Sequence, residues 1–92
     1  MVPTEEETRD LDLAWLEDAL EADPENFAVW TSKGALAESQ GLEDEALEYY
    51  ERALSINPDY REARVRRGSI LLRRGETEEA LEDIGLALDD RA

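Results

Sequence analysis

The chain has no cysteine and no histidine. The first absence excludes disulfides and thiolate metal sites, and leaves the redox compartment undetermined. Together the two remove the thiol nucleophile and the commonest general base. Basic charge is scarce as well. Ten Lys and Arg, with Lys33 the sole lysine, face 25 Asp and Glu, for a net charge of −15. A field of that sign opposes nonspecific attraction to nucleic acid or to an anionic membrane face. Acid-rich, lysine-poor composition also suits adaptation to high salt or a GC-rich genome. No apolar run approaches a membrane span, and the opening MVPTEEETRD lacks the basic and apolar parts of a signal peptide. The expectation is a cytoplasmic protein with neither a nucleic-acid nor a membrane partner.

The motifs of catalysis and ligation are equally thin. No Gly-x-Gly-x-x-Gly or phosphate-loop pattern occurs, and Ser32, Ser39, Ser55 and Ser69 fall inside helical segments with no base at hand. Glu43-Asp44-Glu45 and Asp89-Asp90 stand at helix ends, where acids serve the helix dipole. Asp10-x-Asp12 lacks the glycine and closing glutamate of a calcium loop. The chain therefore reads as a non-enzyme that needs no cofactor or metal.

What is present is a repeat. Gly34 recurs as Gly68, Gly41 as Gly75, Ala46-Leu47 as Ala80-Leu81, Ala53-Leu54 as Ala87-Leu88, and Pro24 as Pro58, always 34 residues on. A fixed period of this length marks stacked helix pairs. At 41% hydrophobic residues, 92 residues suffice for one small domain. Apolar spacing and punctuation predict five helices, over 5–22, 27–40, 43–56, 61–74 and 78–89. Thr4-Glu5-Glu6-Glu7 reads as a capping box. Asp23-Pro24 and Asn57-Pro58 close the first and third helices. Gly41 and Gly75 are left-handed stops for the second and fourth, and Asp59 is the expected N-cap of the fourth. Connections of two to four residues require antiparallel neighbours.

Gly34 lies in mid-helix, where glycine costs roughly 1 kcal/mol against alanine, so a neighbouring helix is expected to need the space. Ala46 and Ala53 supply the matching small surface, with Trp30 and Tyr50 filling wider gaps. Of Trp15, Trp30, Tyr49 and Tyr50, Tyr49 is the one expected to be partly exposed, the others being core. Six of nine arginines crowd the fourth segment: Arg61, Arg64, Arg66, Arg67, Arg73 and Arg74. Two readings stand side by side. They pair with acids of neighbouring helices, or they form a strip that binds carboxylates or other anions.

The pattern Trp30-x3-Gly34…Gly41-x3-Glu45-Ala46-Leu47-x2-Tyr50-x2-Ala53-Leu54…Asn57-Pro58 resembles a tetratricopeptide repeat. Residues 61–92 resemble a second repeat, with Arg64 in place of Trp30 and Ile84 in place of Tyr50. Residues 9–24, within a capping helix or half repeat expected over 5–24, resemble the second half of another. The resemblance implies an all-α antiparallel stack of helix pairs in a right-handed superhelix, residues 1–92 forming one domain. It also implies protein–protein interaction. In that family the first helix of each pair lines a concave groove that holds a peptide. By position, the groove comprises Ala28, Thr31, Ala35 and Glu38 with Glu62, Val65, Arg66, Ser69, Leu72 and Arg73. Members that clamp the acidic tails of heat-shock chaperones carry Lys and Asn at several of these places. Only Arg66 here could serve, so that clamp is not expected.

The ends differ. Asp12 holds the place of Ala46 and Ala80, where burial against a preceding helix would be costly, so the first helix is expected to be an N-terminal cap. The fifth helix keeps Leu81, Ile84, Leu86 and Leu88 on the side a further helix would cover. A cut array, a homodimer through this face, and a partner that supplies the missing helix are the three readings of that end.

Overall fold

Two kinds of helix end alternate along the chain and set its architecture. The computed structural model describes the backbone of residues 5–89 and the side chains of residues 13–85. Its five helices are α1 (Glu5–Ala22), α2 (Phe27–Ser39), α3 (Glu43–Ile56), α4 (Arg61–Arg73) and α5 (Thr77–Asp89). The described residues contain no strand. All five expected helices are present, with ends displaced by at most one residue. The Thr4 capping box and the Asp12 side chain lie outside the described residues.

At the ends of α2 and α4 the chain turns through glycine in the left-handed region, with φ of 78° at Gly41 and 82° at Gly75. Gly41 donates to the Glu38 carbonyl and Leu42 to that of Ala37. Gly75 and Glu76 repeat this to Leu72 and Leu71. Both are Schellman closures, and they shift the last helical residue one place before Gln40 and Arg74. At the ends of α1 and α3 an Asx turn precedes the proline step. The Asp23 carboxylate accepts from the Glu25 N–H at 3.1 Å, and the Asn57 side chain from the Asp59 N–H at 3.2 Å.

Asp59 is therefore not a cap: it sits within the turn, in the register of Glu25. The residue before α4 is Tyr60, which caps nothing with its side chain. The matching residue before α2 is Asn26, whose Oδ1 accepts from the Val29 N–H at 3.2 Å. That is an ordinary N-cap. Tyr60 contributes by packing instead. Its ring meets Phe27 edge-on at 4.8 Å, beside the buried Ala53, Leu54 and Ala63.

The helices pack most closely as the pairs α2–α3 and α4–α5, with α3 on α4, α1 on α2 and a narrow contact of α2 with α4. Glycine makes the pairs possible. A Cβ built on Gly34 would lie 2.5 Å from Tyr50 Cε1. Tyr50 thus rests directly on Gly34 rather than filling a wider gap beside it, and it is fully buried with Ala37, Ala46 and Ile70. In the second pair a Cβ on Gly68 would come within 2.9 Å of Ile84 Cγ1. Ile84 is accordingly half-buried on α4, and not simply on the outer face expected for it.

The aromatic expectation is corrected too. Trp15 is the exposed ring, at 66%, whereas Tyr49 is half-buried. Tyr49 lies 6.0 Å from Trp30, with the Lys33 ammonium 4.8 Å from its ring centre. Tyr49 has α2 packed over it. Trp15, one period earlier in the chain, has no described helix in that place.

Candidate functional site

The face shared by α2 and α4 is where position in the repeat puts the peptide groove. On α4, Val65 and Leu72 are 39% and 49% exposed. Seven residues apart, they lie on one side of the helix. Glu62 and Arg73 are exposed around them, while Arg66 and Ser69 are half-buried. The Ser69 hydroxyl is turned back to the Val65 carbonyl at 2.9 Å. From α2, Ala28 is exposed and Ala35 and Glu38 are half-buried. Thr31 departs from expectation. It is 2% exposed and its hydroxyl donates to the Phe27 carbonyl at 2.9 Å, so it offers nothing to a ligand. Val65 stands in the same register yet is open. Helix α4 packs against α2 on that side, and among the described residues no helix takes the corresponding place on α4.

The charges on this face are already matched. Glu38 accepts from the Tyr50 hydroxyl at 2.8 Å through one oxygen and from Arg73 at 3.0 Å through the other. Arg73 also reaches Glu43 at 3.0 Å, and Arg74 pairs with Asp44 and Glu43. Arg66 lies 3.3 Å from Glu62 within its own helix. Burial, reinforced by the bond to Glu38, pushes the Tyr50 hydroxyl well above its ordinary value of 10.0. These contacts favour the pairing reading of the arginines over an open anion strip.

The deepest pairing was hidden in the sequence. Asp83 is 5% exposed and holds Arg67 in a fork at 2.7 and 2.8 Å, with Arg64 at 3.7 Å. These three residues stand 34 positions after Tyr49, Lys33 and Trp30. An ionic cluster thus replaces the aromatic one. Arg64 even keeps the bond that Trp30 makes. Its Nε donates to the Pro58 carbonyl at 2.6 Å, as the Trp30 indole donates to Pro24 at 2.8 Å. Because a carboxylate fills less space than a ring, a cleft of 390 Å³ opens beside Asp83, against 120 Å³ beside Tyr49. No buried side-chain polar atom among the described residues lacks a partner. The clue was available: aligning the two copies sets an acid, with Arg67 opposite, where the first copy has a ring.

On the outer side of α5, Leu81 is 61% exposed. The side chains of Leu86 and Leu88 lie outside the described residues. No cluster of three or more metal-ligating side chains occurs among the described residues, and no described helix is long and apolar enough to cross a membrane.

Helix pairs of one length, stopped alternately by a glycine closure and an Asx-Pro turn, define a helical repeat protein. The chain belongs to the tetratricopeptide repeat family, whose models match residues 27–60 and 44–92. Such repeats generally mediate protein–protein interaction and are typically not enzymes. The crystal structure of MamA shares the fold, with a TM-score of 0.82 over 91% of this chain at 24% identity. This chain spans about half of that one, 49% of its length. Among curated proteins none matches.

Proposed function

We infer that the chain binds an extended segment of a partner protein along the open side of α4, at the edge of the face that it shares with α2. The observation that carries this reading is the aliphatic pair Val65 and Leu72, exposed on α4 between side chains of both charges. Exposed ion pairs contribute little, about 0–1 kcal/mol. Arg66 can therefore leave Glu62, and the exposed Arg73 can leave the half-buried Glu38, to pair with a bound segment, while Val65 and Leu72 lose water. The segment expected is one that carries aliphatic residues and both signs of charge. No chemical step is involved.

The test is selection of peptides from a displayed library against the purified chain, followed by affinity measurement. Exchanging both Arg66 and Arg73 for Glu should weaken the selected peptides by an order of magnitude or more. Peptides that bind this double variant as well as the original chain would refute the assignment. A second reading, self-association through α5, is favoured by the exposure of Leu81. Light scattering of the chain alone distinguishes a dimer from a 10.4 kDa monomer.

A further inference from the structure

At the opposite side of α2, α1 and α2 enclose an apolar groove of 370 Å³ lined by Trp15, Leu16, Ser32, Ala35 and Leu36. Its meaning comes from the repeat. One period on, the same positions of α3 and α4 carry Tyr49, Tyr50, Arg66, Ser69 and Ile70. There α2 lies across the surface: Tyr50 rests on Gly34, and Ile70 is fully buried with Ala37. Among the described residues no helix covers the earlier copy, which is more exposed. Leu36 is only half-buried where Ile70 is fully buried, and Trp15 is 66% exposed where Tyr49 is half-buried. The groove is thus shaped as a seat for one more helix, placed on α1 and α2 as α2 is placed on α3 and α4.

We propose that this seat takes a basic amphipathic helix of a partner protein, with Trp15 as its central anchor. Charge selects that occupant. Helix α1 carries eight acids against Arg9 alone, and Glu17, Asp18 and Glu21 are exposed. A second copy of this chain is a poor match. Its α5, the helix with an open outer side, carries five acids and no base. Its α4, the one basic helix, is packed on α3 and α5 with Arg64, Arg66, Arg67 and Arg73 paired. Size supports a helix with ordinary apolar residues. Leu16 stands where Tyr50 presses on Gly34, so the occupant needs no glycine to fit. Only Ala35 borders both this groove and the α2–α4 face, and the proposal does not depend on that face holding a peptide.

The experiment titrates the chain with a synthetic peptide of about 18 residues, long enough to form a helix on binding. It carries leucine on one face and lysine on the rest, and its twin has glutamate for every lysine. The lysine peptide is expected to bind and to shift Trp15 fluorescence to the blue. Trp15→Ala and Ser32→Arg should each weaken it at least about tenfold, the loss typical of a central aromatic anchor. Both positions are exposed, so both variants should fold, and circular dichroism verifies that. Exchanging Arg66 and Arg73 for Glu should not weaken this binding, which separates the seat from the α2–α4 face. Equal binding of both peptides would overturn the proposal. So would unaltered affinity in Trp15→Ala, which would mean bulk charge attraction. Absence of any shift up to about 1 mM would do the same. A blue shift that rises with protein concentration alone, together with doubled mass, would assign the seat to a second copy instead.

Discussion

Asp83→Asn removes one charge from the ionic cluster while keeping its size. The carboxylate is 7% exposed, and the two guanidinium side chains retain 23% and 17% exposure at Arg67 and Arg64. Breaking a buried pair by removing one partner costs about 3–5 kcal/mol, because the other charge stays desolvated. Partial solvent contact of both arginines puts the expected loss at the lower end, about 3 kcal/mol. A chain of this size is stable by roughly 5–14 kcal/mol, so that loss is a large share. It should lower the melting temperature by about 12 °C or more. The assay is urea and thermal unfolding followed by far-UV circular dichroism, with amide exchange to locate the change in α5. The first helix pair supplies the control. Changing Arg64 to Trp, Arg67 to Lys and Asp83 to Tyr writes the aromatic cluster into the second pair. Apolar replacement of a whole buried pair is often neutral or stabilising, so the triple variant should regain most of the loss. A cost below about 1 kcal/mol for Asp83→Asn is the value of a solvated surface pair, and it would refute the buried-pair argument.

Two glycines should respond to alanine with opposite signs. At Gly34 alanine gains about 1 kcal/mol of helix propensity. The new methyl meets a fully buried Tyr50 that has no room to turn, and overpacking of about 1–3 kcal/mol outweighs the gain. At Gly85 nothing lies within 4 Å, so alanine should stabilise by about 0.5–1 kcal/mol. Urea midpoints decide both, and a stabilising Gly34→Ala would show that the α2–α3 contact is looser than described. Tyr50 contributes to the alkaline limit. Its hydroxyl is raised above 10.0 by burial and by Glu38, so the folded chain keeps a proton that the unfolded chain has released. Its stabilising contribution is full below pH 10 and is lost as pH rises beyond it. Tyr50→Phe should flatten that decline in stability, and parallel decline of both proteins would remove Tyr50 as its cause.

The period made the scaffold legible because the scaffold is built from residues whose local chemistry is nearly self-sufficient. Gly41 and Gly75 stop helices wherever a left-handed residue is needed, and Asp23-Pro24 and Asn57-Pro58 turn the chain through bonds within four residues. Gly34 was legible for another reason: a mid-helix glycine has a cost that only a close neighbour explains. The surface was harder to read. Thr31 and Val65 share one register, yet one is buried and the other open, because neighbouring helices decide exposure. Trp15 has the spacing of a core residue, and among the described residues no helix buries it. The arginine partners were unreadable in detail, since Glu38 and Glu43 reach Arg73 across 35 and 30 residues.

In a stack, each helix depends on its neighbours, and the two ends depend on the fewest. Among the described residues α1 packs only on α2, and α5 only on α4. The ends are held by different chemistry. Among the described residues Leu16 and Leu20 join α1 to Val29 by apolar burial, while α5 adds a directional fork from Asp83 to its contact between Ile84 and Gly68. Apolar burial tolerates small displacement, and a bidentate charge pair does not, because guanidinium and carboxylate must stay coplanar to keep both bonds. Helix α5 is therefore fixed in one orientation on α4, and with it the position of Arg67 and the α4 backbone that presents Val65 and Leu72. The α1–α2 end, bound through side chains that can slide, can adjust its groove to an incoming helix. On this argument the ionic cluster sets the geometry of the α2–α4 face, and the apolar end keeps the freedom that docking a helix requires.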